Sequence, residues 1–185
     1  MKSYSQKLIS ALSKVDENAY SIILKALFKC IGNNGHIYVI GNGGSAATAS
    51  HFVNDLTKLV WDQTEVEVNV RCLSDNVPLI TALANDIAYD EIFAWQLARC
   101  FTCDDVLIAF SGSGNSPNII KAIEVANEVF SALTIGIGGR DGGEMCRTTD
   151  YSLIVSDNSM QIIEDVHLAI SHSLCTDIIG VIKGL

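Results

Sequence analysis

Apolar residues recur at helical spacing between positions 4 and 30, at Leu8, Ala11, Leu12 and Val15 and then at Ile22, Ile23 and Leu27. This pattern predicts one or two helices within an N-terminal helical segment, 1–33. The pattern then changes. Short apolar runs at 36–40, 66–73, 106–110, 132–137 and 151–155 predict strands. Longer periodic stretches at 45–60, 77–85, 90–100, 115–129 and 159–182 predict helices. Pro78 and Pro117 each fall where a helix could start, the position that tolerates a missing N–H. Buried strands alternating with helices predict an α/β fold in three layers, a parallel sheet with helices on both faces. Ligands of such sheets bind at the carboxyl ends of the strands.

Two segments at those ends are rich in glycine and hydroxyls. Ser111-Gly112-Ser113-Gly114-Asn115-Ser116 follows the run at 106–110 and opens a helical stretch, and Gly41-Asn42-Gly43-Gly44-Ser45 repeats the arrangement after 36–40. Glycines let the backbone approach an anion, while hydroxyls and free first-turn N–H groups donate to it. A phosphorylated ligand is the reading that follows. Neither loop carries the lysine of a P-loop, and the first makes a poor dinucleotide fingerprint because Ala46 takes the third glycine position. The competing reading of Gly43 and Gly44 is a tight strand-to-helix turn. A third loop, Gly138-Gly139-Arg140-Asp141-Gly142-Gly143, uses its glycines for a turn; Arg140 could reach an anion or stand in solvent.

His51 and Asp55 are four apart on one predicted helix, so they share a face. Glu164 and His172 are eight apart on the last helix, roughly on one side. Two imidazoles and two carboxylates form a set for a divalent metal, with zinc favoured by the histidines. They could equally act as acid and base. His167 could orient a ligand or pack.

Composition narrows the class. The 185 residues are 49% hydrophobic and suit a single domain, 1–185. Mean hydropathy is +0.30. No apolar run reaches the ~18 residues of a membrane span, so a large core or an oligomer interface is expected. The first residues lack the basic-then-apolar pattern of a signal peptide, so a cytoplasmic enzyme or binding protein is the expected class. A net charge of -9 without a basic cluster argues against direct nucleic-acid binding. The six cysteines, including the lone pair Cys100 and Cys103, read as reduced core residues.

Taken together, these segments resemble the SIS-type sugar isomerases and, within them, the phosphoheptose (sedoheptulose 7-phosphate) isomerase family. The matching residues are those of the first two loops, His51-Phe52, Ile80-Thr81-Ala82-Leu83-Ala84-Asn85-Asp86, Pro117-Asn118, Arg140-Asp141-Gly142-Gly143 and Glu164-Asp165-Val166-His167-Leu168. The resemblance implies a five-stranded parallel sheet between helices, and a homotetramer with sites at subunit interfaces. It implies substrate binding by Asn42, Gly43, Gly44, Ser45, Asn85, Asp86, Ser111, Gly112, Ser113 and Ser116. Metal and acid–base positions fall on His51, Asp55, Glu164 and His172. His172 would be one acid–base partner, and Asp55 or Glu164 the other.

Three positions depart from the family. Asp55 stands where Glu is common, Glu164 where Gln is common, and Gly112 where Thr is common. The shorter Asp55 is expected to fall short by ~1.5 Å, with Glu164 supplying a longer carboxylate, so that one divalent cation, with zinc favoured, holds all four side chains. The implied reaction converts sedoheptulose 7-phosphate to D-glycero-D-manno-heptose 7-phosphate through an enediol, for surface polysaccharide. The alternatives are a non-catalytic sugar-phosphate-binding adaptor of a replication initiator, or a sibling isomerase with another substrate. His51, Asp55 and His172 favour an enzyme.

Overall fold

In a computed structural model, which describes residues 1–129 and 132–185, the N-terminal segment forms two helices, α1 (Lys2–Leu12) and α2 (Glu17–Gly32). Asp16 separates them: its carboxylate accepts from the N–H groups of Asn18 and Ala19 and caps α2. Strand β1 (Ile37–Gly41) leads into α3 (Gly44–Asn54), a π-turn (Asp55–Leu59) and α4 (Val60–Thr64). Next come β2 (Val70–Cys72), α5 (Val77–Asp86), a 3-10 turn (Tyr89–Glu91) and the single turn α6 (Ala94–Leu97). The chain continues through β3 (Val106–Ser111), α7 (Pro117–Asn127), β4 (Leu133–Gly139), α8 (Gly143–Thr148), β5 (Tyr151–Val155) and α9 (Met160–Lys183).

The five strands are all parallel, in the order β2-β1-β3-β4-β5. Strand side chains alternate between two cores. Ile37, Val39, Val106, Ile108, Phe110, Ile135 and Ile137 face α2, α3 and α9, whereas Tyr38, Ile40, Leu107 and Ala109 face α5, α6 and α7. The order reverses direction between β1 and β3. The two strands stay paired to their carboxyl ends, Gly41 opposite Phe110, and the connections that leave them in opposite directions open a crevice at the switch point.

Several elements differ from the sequence pattern, each for a local reason. The run at 66–73 pairs only over Val70–Cys72, because it is an edge strand and β1 begins at Ile37, opposite Val70. The stretch 90–100 is not one helix: Ile92, Phe93 and Ala94 are buried consecutively, which a one-sided helix does not allow. The stretch 45–60 is interrupted at Asp55, whose carbonyl accepts from the Val60 N–H five residues on. Helix α8, six residues long, is too short to show a period. Helix α9 is long and apolar enough by composition to cross a membrane, yet it lays Ile163, Val166, Ile170, Leu174 and Ile178 into the core. The cysteines are all free, and Cys103 is exposed rather than in the core.

Candidate functional site

The two glycine-rich loops follow β1 and β3, so the switch point sets them side by side. They line one open cleft of about 290 Å³ with Asn42, Gly43, Gly44, Ser45, Ser111, Gly112, Ser113 and Ser116 along its walls. A groove of about 500 Å³ beside β2 is larger, but its lining by residues such as Arg71, Trp95 and Arg99 brings no group of hydroxyls together.

The serine loop is wired to donate. Ser111 Oγ accepts from the Gly114 N–H at 3.0 Å and Ser113 Oγ accepts from the Asn115 N–H at 3.3 Å. Each hydroxyl keeps its proton for a ligand. Ser116 is the N-cap residue of α7 but makes no side-chain cap bond, so its hydroxyl is also available. The loop is pinned from behind: Gly114 takes φ +64°, and a Cβ there would fall 1.9 Å from the Gly142 carbonyl oxygen. The Met145 N–H donates to the Gly114 carbonyl at 2.8 Å and the Glu144 N–H to Asn115 Oδ1 at 3.0 Å. The glycines of the third loop thus support the second. Arg140 stands exposed outside the cleft, beside Asp141 and Asp157.

Asn42 is oriented by Asn118, one of the positions that carry the family resemblance, and by Tyr89, which the sequence did not single out. It exchanges two amide hydrogen bonds of 2.9 Å with the buried Asn118, and Tyr89 Oη donates to Asn42 Oδ1 at 3.0 Å. These bonds leave Asn42 one side-chain N–H and its backbone for a ligand. The Asn118 signal was its place just after Pro117 at a helix start; Tyr89 gave none. Asn85 and Asp86, expected to bind substrate, are exposed at the end of α5, bonded to each other at 2.7 Å, and do not line the cleft.

His51, Asp55 and His172 come together. Their Nε2 atoms lie 3.2 Å apart, and Asp55 Oδ2 lies 3.6 Å from His51 Nε2 and 3.7 Å from His172 Nε2. Ligand atoms about 2.0–2.1 Å from a tetrahedral centre stand about 3.4 Å apart. The three atoms therefore make a face that fits one divalent cation. The expectation that Asp55 falls short is corrected: its carboxylate reaches both histidines from the start of the π-turn.

Glu164 is not part of this group. Eight residues of α-helix separate it from His172 by about 12 Å along the axis, so sharing a face does not mean sharing an ion. Its carboxylate lies instead over Gly44, where a Cβ would meet Oε1 at 2.4 Å. The first turn of α3 carries free N–H groups and the positive end of the helix dipole, which favour a carboxylate there. His167 packs rather than orients a ligand. It is fully buried beside Phe110, neither ring nitrogen makes a well-formed hydrogen bond among the described residues, and burial pushes its pKa down to about 4 against a weaker opposing effect of the Gly138 backbone.

A hydroxyl cradle at the switch point, with a histidine–carboxylate cluster further along the two helices beside it, has the parts of a phosphosugar isomerase. A SIS-domain family model matches residues 3–139. The phosphoheptose isomerase of Helicobacter pylori (strain Shi470) is 38% identical over 149 residues, covering 80% of this chain and 77% of that protein. That of Aliarcobacter butzleri (strain RM4018) is 36% identical over 169 residues, covering 91% and 86%. The solved structure of a phosphoheptose isomerase from Francisella tularensis superposes with a TM-score of 0.88 at 31% identity, covering 96% of this chain and 95% of that one. The chain belongs to the SIS-domain family and, within it, to the phosphoheptose isomerases, a family of sugar-phosphate isomerases. The adaptor alternative finds no support among these relatives and is set aside.

Proposed function

We propose that this enzyme interconverts sedoheptulose 7-phosphate and D-glycero-D-manno-heptose 7-phosphate in the cytoplasm, supplying heptose for surface polysaccharide. The observation that carries the reading is the pairing of the hydroxyl cradle with the His51–Asp55–His172 cluster. Helices α3 and α9 run parallel: Glu164 lies over Gly44, and His172 meets His51. Seven residues from Gly44 to His51 rise about 10 Å. An extended seven-carbon chain spans a similar distance from terminal phosphorus to C1, eight bonds of about 1.5 Å in zigzag. The spacing supports a long sugar phosphate over a triose.

Ser111, Ser113 and Ser116 would donate to the phosphate oxygens and hold that end still. His51 Nε2, His172 Nε2 and Asp55 Oδ2 would hold a divalent cation, and the imidazole-rich donor set favours zinc. When bound, it polarises the sugar oxygens at C1 and C2. Because His172 offers the cation its Nε2, the proton is moved by Asp55 through its second oxygen, Oδ1, which accepts only the Asn54 amide at 3.2 Å. Asp55 takes a proton from C1 of the ketose while a proton passes to O2, giving the enediol; loss of the O1 proton and delivery to C2 of a proton that Asp55 has exchanged with solvent then give the aldose. The family's homotetramer, with sites at subunit interfaces, is part of the same reading. His51 and His172 are about half exposed, which leaves room for a neighbouring subunit to cover them.

Zinc-loaded protein incubated with sedoheptulose 7-phosphate in D2O should release an aldose 7-phosphate carrying deuterium at C2, read by proton NMR. Chelation should stop the conversion and added zinc should restore it. No conversion with zinc, nickel, manganese or iron would refute the assignment.

A further inference from the structure

The first residue of α9, Met160, lies directly across the serine loop. A Cβ on Gly112 would fall 2.2 Å from Met160 Sδ and 3.0 Å from its Cε, so the thioether fills the space that a side chain at 112 would occupy. Ile163 continues the same contact: a Cβ on Gly139 would meet its Cγ2 at 2.6 Å and the Gly112 carbonyl oxygen at 2.6 Å. Met160 lines the cleft together with Ser113 and Ser116.

We infer that Met160 is a specificity-determining residue that restricts the cleft to phosphate esters of a terminal, primary carbon. This rests on the proposed binding of phosphate by the serine loop. A ligand whose phosphate sits among the hydroxyls must lay its ester carbon against the thioether. An unbranched CH2 makes an apolar contact there, whereas a phosphate on a secondary or ring carbon brings a second substituent into the sulfur. The thioether also keeps water from the hydroxyl–phosphate hydrogen bonds, which strengthens them. The absence of a side chain at Gly112 is what admits Met160, so the two positions act as a pair.

Calorimetric titration tests the pair without requiring turnover. The ligands are sedoheptulose 7-phosphate, glucose 6-phosphate (primary ester), glucose 1-phosphate (ester on a ring carbon) and inorganic phosphate. Wild type should prefer the primary esters by about tenfold or more, the usual scale for one misplaced carbon in an apolar pocket. Met160→Ala should weaken sedoheptulose 7-phosphate by about fivefold and erase most of the preference, and Met160→Leu, of similar volume, should retain it. Gly112→Thr should weaken binding, and adding Met160→Ala to it should recover much of the loss. An unchanged preference in Met160→Ala, or additive losses in the double variant, would overturn this inference while leaving phosphate binding intact. Failure of wild type to bind any of the four ligands would overturn the serine-loop reading and this inference together.

Discussion

Five residues separate His167 from His172 on α9, and burial decides their different chemistry. His172 reaches the surface, where His51 and Asp55 meet it; His167 faces the core, where burial holds its pKa at about 4 against an ordinary 6.5. The unfolded chain therefore binds a proton between these values that the folded protein does not. The stability linked to His167 is complete above about pH 6.5 and is lost as pH falls toward 4, by on the order of 3 kcal/mol. His167→Leu removes the titration along with two unpaired polar atoms, so stability at pH 7.5 should hold or rise. Urea unfolding at pH 7.5 and pH 4.5 checks this: the variant should lose clearly less stability on acidification than wild type. An equal loss would assign the acid sensitivity to other groups.

Among the elements, the serine loop depends on its neighbour most visibly at Gly114. With φ at +64° and the Gly142 carbonyl against its open side, this position has no space for a methyl group. Gly114→Ala should cost on the order of 1–3 kcal/mol in thermal unfolding from backbone strain and displacement of the loop. Affinity for inorganic phosphate should fall with it, while zinc binding by the His51 cluster persists; equal phosphate affinity would show that the loop does not form the cradle. The loops and their helices were legible in the sequence because glycines, hydroxyls and an apolar run stand consecutively there. His51 and Asp55 were legible as a pair because helical periodicity governs near neighbours. Glu164 was misplaced because periodicity gives the face of a helix and is silent on height along it. Tyr89 and Met160 left no local trace, since their roles come from loops that only the sheet order brings together.

At the scale of the molecule, the acidic chain of 19.9 kDa carries apolar residues on the outside of its first two helices: Ile9, Leu12, Ile22 and Phe28 are exposed, and Trp61 stands half exposed nearby in sequence to the cluster. In the proposed tetramer, neighbouring copies would cover some of these residues. Sedimentation should give four chains, about 80 kDa in all; a monomer at micromolar concentration would contradict sites shared between subunits. In the proposed reading the ligand is divided between two places, with hydroxyls gripping its phosphate and a histidine–aspartate cluster acting on the far carbons. The most direct test is the affinity of His172→Ala for sedoheptulose 7-phosphate, measured by calorimetry beside its turnover. The variant should bind within a few-fold of wild type and convert none of the sugar. Normal turnover by His172→Ala, or complete loss of binding, would contradict that division.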